Sequence, residues 1–240
     1  TAGAADLEVE QLDGSSNLRA GVNGSVALVD GELALSRRLG RAFGLGLLRY
    51  LAQFAGNLVN LSEIGRSVAL DHKTTDNYLR VLEQLFLVHR LQPWSRNALS
   101  RIVKTPKLHF LDSGLLTTLR GYSVARLRTE RGLLRPILEG FIFSELLKLS
   151  SVSEERVGLF YFRDRDQNEV DFVLENAQGQ VVGIEVKAAA TVTRRDFSGL
   201  DRFASLAGHH FMQGIVLYDG ERPLSFAENL RAAPFASVSA

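Results

Sequence analysis

Four residues between Glu169 and Lys187 are of the types that hydrolytic chemistry uses. Glu169, Asp171, Glu185 and Lys187 lie on two apolar runs separated by the turn-forming segment Glu175-Asn-Ala-Gln-Gly179. An antiparallel hairpin centred near Gln178 sets Asp171 opposite Glu185 and Glu169 opposite Lys187. Side chains two apart share a strand face, so these four project from one side. Val170, Phe172, Ile184 and Val186 then take the other side, toward a core. Facing carboxylates destabilise a sheet by up to roughly 1 kcal/mol, and a cation between them removes the repulsion. Oxygen donors on two rigid strands suit Mg2+ or Mn2+, which take one or two carboxylates and keep several waters. A nearby lysine would orient a water or stabilise charge building on a phosphate. The chemistry so read is metal-dependent phosphodiester hydrolysis. A simpler reading stays open: Glu169 and Glu185 form exposed ion pairs with Lys187, worth about 0 to 1 kcal/mol. A one-residue slip in register would also separate Asp171 from Glu185.

Other chemistries find little support. The chain has no cysteine, which excludes disulfides, thiolate metal sites and cysteine nucleophiles. His72, His89, His109, His209 and His210 form no His-Glu-x-x-His zinc motif, and the pair His209-His210 reads as structural. No Gly-x-Ser-x-Gly elbow is present. No phosphate-binding Gly-x-x-x-x-Gly-Lys loop exists, so there is no ATP site in this chain. Gly44-Leu-Gly46 reads as helix packing.

The elements around the hairpin follow from apolar periodicity. After Pro136, Ile137 to Leu149 reads as an amphipathic helix. Strands follow at Gly158–Arg163, Glu169–Leu174 and Val181–Lys187. Thr193 with Asp196 resembles a capping box ahead of a helix burying Phe197, Leu200, Phe203 and Leu206. Gly208 closes that helix, and Gln213–Tyr218 is a last strand. The order is α-β-β-β-α-β, and the fold class is α/β in the mixed α+β sense.

Upstream, Leu39, Phe43, Leu47, Leu51 and Phe54 recur at helical spacing. Ser62 reads as an N-cap, and a second helix starts near Thr74 and runs through Tyr78, Leu79, Leu82, Leu85 and Phe86. Two short helices joined by a tight turn, then strands at Phe86–Leu91 and Lys107–Leu111 bracketing a basic loop, form the winged-helix arrangement. In DNA-binding versions the second helix enters the major groove. Its N-terminal face here would present Lys73, Thr74, Thr75 and Asn77, with Arg96, Arg101 and Lys104 in the loop. Trp94 would stack on a base or pack against the domain below. The other reading of this unit is packing against neighbouring domains only. Three regions result: a tail over residues 1–37, a winged helix over 38–120, and the α-β-β-β-α-β unit over 121–240.

Of the 240 residues, 45% are hydrophobic and 23% charged, which argues against disorder. No apolar run approaches the roughly 20 residues that span a bilayer, so no membrane association is expected. The net charge of +1 hides an asymmetry. Residues 84–135 hold ten Arg and Lys against Asp112 and Glu130, a net +8 that leaves −7 for the rest. Such a block suits a polyanion, or a solvated basic surface paired with the acidic remainder. The chain opens at Thr1 and its single methionine is Met212, so a piece of a longer protein is expected.

Asp171 with Glu185-Val-Lys187, preceded by a helix carrying Glu139, resembles the PD-(D/E)xK nuclease superfamily, whose core has this element order. A second resemblance spans roughly Leu47 to Phe235. Ser95-Arg-Asn97, the string from Val103 to Leu115, Glu139-Gly-Phe-Ile-Phe-Ser-Glu-Leu146, Glu169-Val-Asp-Phe-Val173, Ile184-Glu-Val-Lys187 and Val216-Leu-Tyr-Asp-Gly220 carry it. These strings resemble the C-terminal domain-of-unknown-function module of prokaryotic AAA-type ATP-binding proteins. There, a winged helix links a P-loop ATPase to a nuclease-like terminal domain.

The resemblance implies Asp171 and Glu185 as metal ligands, Lys187 as catalytic lysine and Glu139 as supporting acid. Glu145 would be structural. Gly140 stands where relatives typically carry Asn, a departure at the helix's contribution to the site. The implied cofactor is Mg2+ or Mn2+. The implied partners are DNA, the N-terminal ATPase domain of the longer protein and a homo-oligomeric copy, in a cytoplasmic setting. The superfamily also holds inert members, so three functions compete: a metal-dependent DNA endonuclease, a regulatory module that binds nucleic acid or protein without cleavage, and an assembly domain for the ATPase.

Overall fold

A computed structural model describes residues 41–96 and 105–238, with 41–44 described by backbone alone. The expected tail over 1–37, Arg101 and Lys104 lie outside the described residues.

The first unit opens with helix α1, Arg41–Gln53, which buries Leu47, Leu48, Leu51 and Ala52. Helix α2, Leu61–Ser67, is capped by Asn60, whose side chain accepts the Glu63 N–H at 3.1 Å. The expected cap, Ser62, lies inside the helix because Asn60, two residues earlier, already holds extended backbone and takes the orphan donor. Helix α3, His72–Gln84, starts two residues before the expected Thr74 because Asp71 caps it, accepting from the Thr74 N–H (2.9 Å) and hydroxyl (2.6 Å). Leu79 and Leu82 face the core. Phe86 does not extend the helix as expected: it takes φ +55° and stands 78% exposed, turning the chain into strand β1.

Strands β1, Val88–Leu91, and β2, Lys107–Phe110, pair antiparallel, with Leu91 opposite Lys107. Helices α2 and α3 followed by this hairpin are the arrangement expected. Two further helices, unforeseen in the sequence, are α4, Ser113–Leu119, and α5, Val124–Thr129.

The second unit starts with helix α6, Leu134–Val152, with Pro136 in its first turn, where its missing N–H costs nothing. Strands β3, Gly158–Arg163, β4, Glu169–Glu175, and β5, Val181–Lys187, follow, then helix α7, Ser198–Ala207, and strand β6, Phe211–Tyr218. The α-β-β-β-α-β order is as read from the sequence. Two strands beyond it, β7, Leu224–Ala227, and β8, Leu230–Pro234, complete a six-stranded mixed sheet ordered β3-β4-β5-β6-β8-β7. The fold is therefore mixed α+β.

The sheet separates two apolar layers. Phe143, Leu146, Phe172, Ile184, Val186 and Leu217 pack on the α6 side. Leu200 and Phe203 of α7 pack with Val170, Val173, Val181 and Val216 on the other. At about 1.5 to 3 kcal/mol per fully buried large apolar side chain, these faces hold both helices to the sheet. The two units touch through Ser144, whose hydroxyl donates to the Leu111 carbonyl (2.7 Å), and Trp94, whose N–H donates to the Tyr161 carbonyl (2.6 Å).

Candidate functional site

Strands β4 and β5 pair in the predicted register: Phe172 faces Ile184 and Val173 faces Gly183. What the sequence did not reveal is a bulge. Phe160 of β3 pairs with Val173 and Phe162 with Val170, so two residues of β4, Asp171 and Phe172, stand against Tyr161 alone. The extra residue puts Val170 on the same layer as Val173, with α7, while Phe172 goes to the α6 layer. The expected grouping of Val170 with Phe172, Ile184 and Val186 is thus corrected. So is the projection of all four polar residues from one face, because a bulge breaks the period of two.

The bulge re-aims Asp171. The residue is 1% exposed, and Oδ2 accepts the Val186 N–H at 2.9 Å. Oδ1 is buried with no hydrogen-bond donor. Two cations approach it: Arg135 Nη2 at 3.5 Å and Lys107 Nζ at 3.8 Å. Arg135 lies in the first turn of α6 and donates through Nε to Glu139 Oε1 at 2.6 Å. Glu139 is 5% exposed. The Asp171 charge couples to both Glu139 and Glu185, so the three acids form one electrostatic cluster.

Lysine placement differs from expectation. Lys187, at the end of β5, pairs with Asp196 of the Thr193 capping box. The lysine beside the acids is Lys107, from β2 of the first unit. Its side chain is 3% exposed, pairs with Glu169 and lies 5.4 Å from the Tyr161 ring centre. Glu169 is therefore held by Lys107 rather than by Lys187. Sequence reading placed Lys107 in the basic block but not in the site. No local signal marked it, because the strand reads Lys-Leu-His-Phe and its burial on all four residues arises only in the fold.

Burial sets the acidity of the cluster. It pushes the Glu139 carboxyl up to about 7, with the Asp171 charge adding to it and Lys107 and Arg135 opposing. Burial also raises Glu185 well above the carboxylate range, reinforced by the charge of Asp171 and a hydrogen bond with it. Burial opposes Arg135's charge, but Glu139, Asp171 and Glu185 hold its guanidinium protonated more firmly than usual. Between pH 4.5, the ordinary glutamate value, and pH 7 the folded chain keeps a Glu139 proton that the unfolded chain releases. The stability this contributes is fully present below the lower value and is lost as pH rises through the higher one. We expect urea-unfolding midpoints to fall between pH 5 and pH 8, and Glu139→Gln to flatten that fall.

Two glycines press on the acids. Gly56, between α1 and α2, has φ +80°, and a Cβ there would meet Glu139 Oε2 at 2.7 Å. Gly56→Ala combines left-handed strain with displacement of Glu139. We expect a loss of about 1 to 3 kcal/mol in chemical denaturation and a Glu139 acidity moved from its present value. Gly199 in α7 lies against the Glu169 carbonyl and Glu185 Oε1, which holds the helix close to the acids. A Cβ at Gly140 would meet the Phe110 carbonyl at 3.5 Å and Leu116 at 3.8 Å, ordinary contacts, so the position has room for an alanine.

The expected nucleic-acid residues divide. Lys73 and Asn77 are exposed on α3. Thr74 is half-buried, with its hydroxyl on Asp71. Thr75 is a correction: it is fully buried against Gly65, and its hydroxyl donates to the Asp71 carbonyl at 2.8 Å. It stabilises the helix start and presents nothing to a groove. Arg96 donates to the Ala207 carbonyl at the end of α7 (3.0 Å), a helix C-terminus that favours a cation. Trp94 is buried with its ring edge-on to Phe203 at 5.0 Å, so it packs rather than stacks on a base. His109 is buried on Phe143, and burial, then Lys107's charge, lowers its pKa to about 3, so it is a neutral aromatic spacer.

Two family models match separate stretches of the chain. A domain of unknown function, DUF8612, matches residues 45–126, and another, DUF4143, matches residues 135–238. The chain resembles two mycobacterial proteins. One is the uncharacterized protein Rv2008c of Mycobacterium tuberculosis and the other the uncharacterized protein Mb2031c of Mycobacterium bovis. Each is 30% identical over 189 residues, covering 77% of this chain and 40% of the relative. The chain thus spans well under half the length of these relatives. No solved structure matches. Among the described residues, no helix is long and apolar enough to cross a membrane.

Proposed function

We propose that this chain is a nucleic-acid-associated module that hydrolyses phosphodiester bonds in DNA with Mg2+ or Mn2+. In the longer protein it would serve a prokaryotic, cytoplasmic ATPase of the AAA type. The observation that carries the reading is the Asp171–Glu185 pair: two carboxylates from adjacent strands, one with a buried Oδ1 lacking a donor, the other pushed toward its protonated form. Repulsion of this kind is what a divalent cation relieves.

The donor set fits such an ion, though sparingly. Among the described residues no group of three or more Asp, Glu or His is placed to hold a metal. Asp171 and Glu185 would therefore hold it as a pair, with water and substrate phosphate filling the remaining positions, as Mg2+ accepts. A bound ion would polarise the phosphoryl oxygen and lower the pKa of a bound water. Glu139 and Arg135 orient and screen the pair. Lys187 would reach a phosphate only on leaving Asp196.

A second reading has its own support. Lys107 and Arg135 already stand 3.8 and 3.5 Å from Asp171 Oδ1, so fixed cations supply part of the compensation a metal would bring. In that reading the module binds DNA or protein without cutting. The deciding experiment is a cleavage assay on single-stranded, duplex and branched DNA with Mg2+, Mn2+ or EDTA, with Lys187→Ala beside the wild type. Cleavage that needs metal and vanishes in the variant is the expected result. Salt-sensitive binding without cleavage, also in the presence of the ATPase part, would make the inert module the function. A defined oligomer with no DNA binding would leave the assembly role.

A further inference from the structure

The segment from Arg120 to Arg135 carries Arg120, Arg126, Arg128, Arg131 and Arg135 against Glu130 alone, a net +4 over sixteen residues. Its helix, α5, buries none of its residues. Leu127 alone is half-buried, so most of this helix presents charge to solvent rather than packing into a core. Instead, its residues are fixed at the surface. Ser123 caps it by accepting the Arg126 N–H, and the Tyr122 ring lies 5.1 Å from the Arg126 guanidinium and 5.9 Å from that of Arg120. Arg128 is exposed and takes part in no ion pair among the described residues.

The downstream end of this segment runs onto the acids. Arg131 pairs with Asp219, the residue after β6, and the Asp219 N–H donates to the Ala189 carbonyl just past β5 (3.0 Å). Arg135 then reaches Glu139 and Asp171. Strands β5, β6 and β8 run parallel, so their carboxyl ends, with Lys187 and Asp219, lie together. Ligands of open α/β sheets bind at that end.

We propose that residues 120–135 form the wall that tracks the phosphate backbone of DNA into the carboxylate site, with Arg126, Arg128 and Arg131 as its phosphate contacts. This rests on the DNA-associated reading above and adds where the strand runs. Guanidinium groups suit phosphate through paired N–H donors, and Arg126 and Arg131 would exchange exposed carboxylate partners for phosphates.

The test is fluorescence anisotropy of a labelled DNA oligonucleotide across a salt series in EDTA, with the full chain. Each lost phosphate contact lowers the slope of log affinity against log salt by about 0.9 on duplex. The triple variant Arg126→Gln/Arg128→Gln/Arg131→Gln is expected to lower it by about 2 to 3. Arg128→Gln alone, which disturbs no ion pair, is expected to lower it by about 1 and covers the case of a misfolded triple variant. Unchanged slopes in both variants, with wild-type binding intact, would overturn the wall and leave the DNA-associated reading standing. Absence of salt-dependent binding in the wild type would overturn both.

Discussion

Asp171→Asn is expected to leave a folded chain whose metal-dependent cleavage is reduced at least about 1,000-fold, some 4 kcal/mol of transition-state stabilisation. The substitution keeps volume and keeps an oxygen to accept the Val186 N–H, so strands β4 and β5 stay joined. It removes the charge that faces Glu185 and repels Glu139. The amide nitrogen then faces Arg135 and Lys107, which costs about 1 to 3 kcal/mol of stability. Both carboxyl groups should ionise at lower pH in the variant, so its urea midpoint should fall less steeply between pH 5 and pH 8. Cleavage at wild-type rate in Asp171→Asn would remove the carboxylate pair from the chemistry altogether. Cleavage lost along with the fold would be resolved by Glu185→Gln, whose amide can still bond Asp171 across the strands.

Lys107→Met is the second large effect. Lys107 is buried between Glu169 and Asp171, and removing one member of a buried pair leaves the other charge without compensation. The expected cost is about 3 to 5 kcal/mol in urea unfolding. Adding Glu169→Gln should return part of it, because the double variant removes the stranded charge as well. The same change should strengthen Mn2+ binding, read as a larger rise in Tm on adding the ion than the wild type shows, since Asp171 loses a fixed counter-cation. A stability loss under about 1 kcal/mol would mean that Lys107 is solvated in solution and is not part of the cluster.

Much of this was legible in the chain. The α-β-β-β-α-β order, the bounds of β3 and β5, the capping box at Thr193 and the hairpin pairing all follow from local periodicity and turn residues. These are properties of a few consecutive side chains. Helix starts were missed by two residues where a polar residue just upstream, Asn60 or Asp71, took the cap. Thr75 was misplaced because a threonine in the first turn of a helix reads as polar and exposed. Here Gly65 of the preceding helix covers it.

Hairpin spacing pointed to Asp171 and Glu185, and the resemblance to the nuclease superfamily added Glu139. Which cation stands beside them was a tertiary decision. Lys187 shares a strand with Glu185, and only the fold of the segment after β5 brings Asp196 to it. Lys107 is 62 residues from Glu169 and meets it because β2 packs under α6 beside the sheet. The bulge that turns Asp171 inward was equally hidden, since it arises from the pairing of β4 with β3 and not from β4 itself. Local sequence determines element type, order and register, because those depend on near neighbours. Burial, charge pairing and the aim of a single side chain depend on which distant surfaces close over it, and that is settled only when the two units fold together.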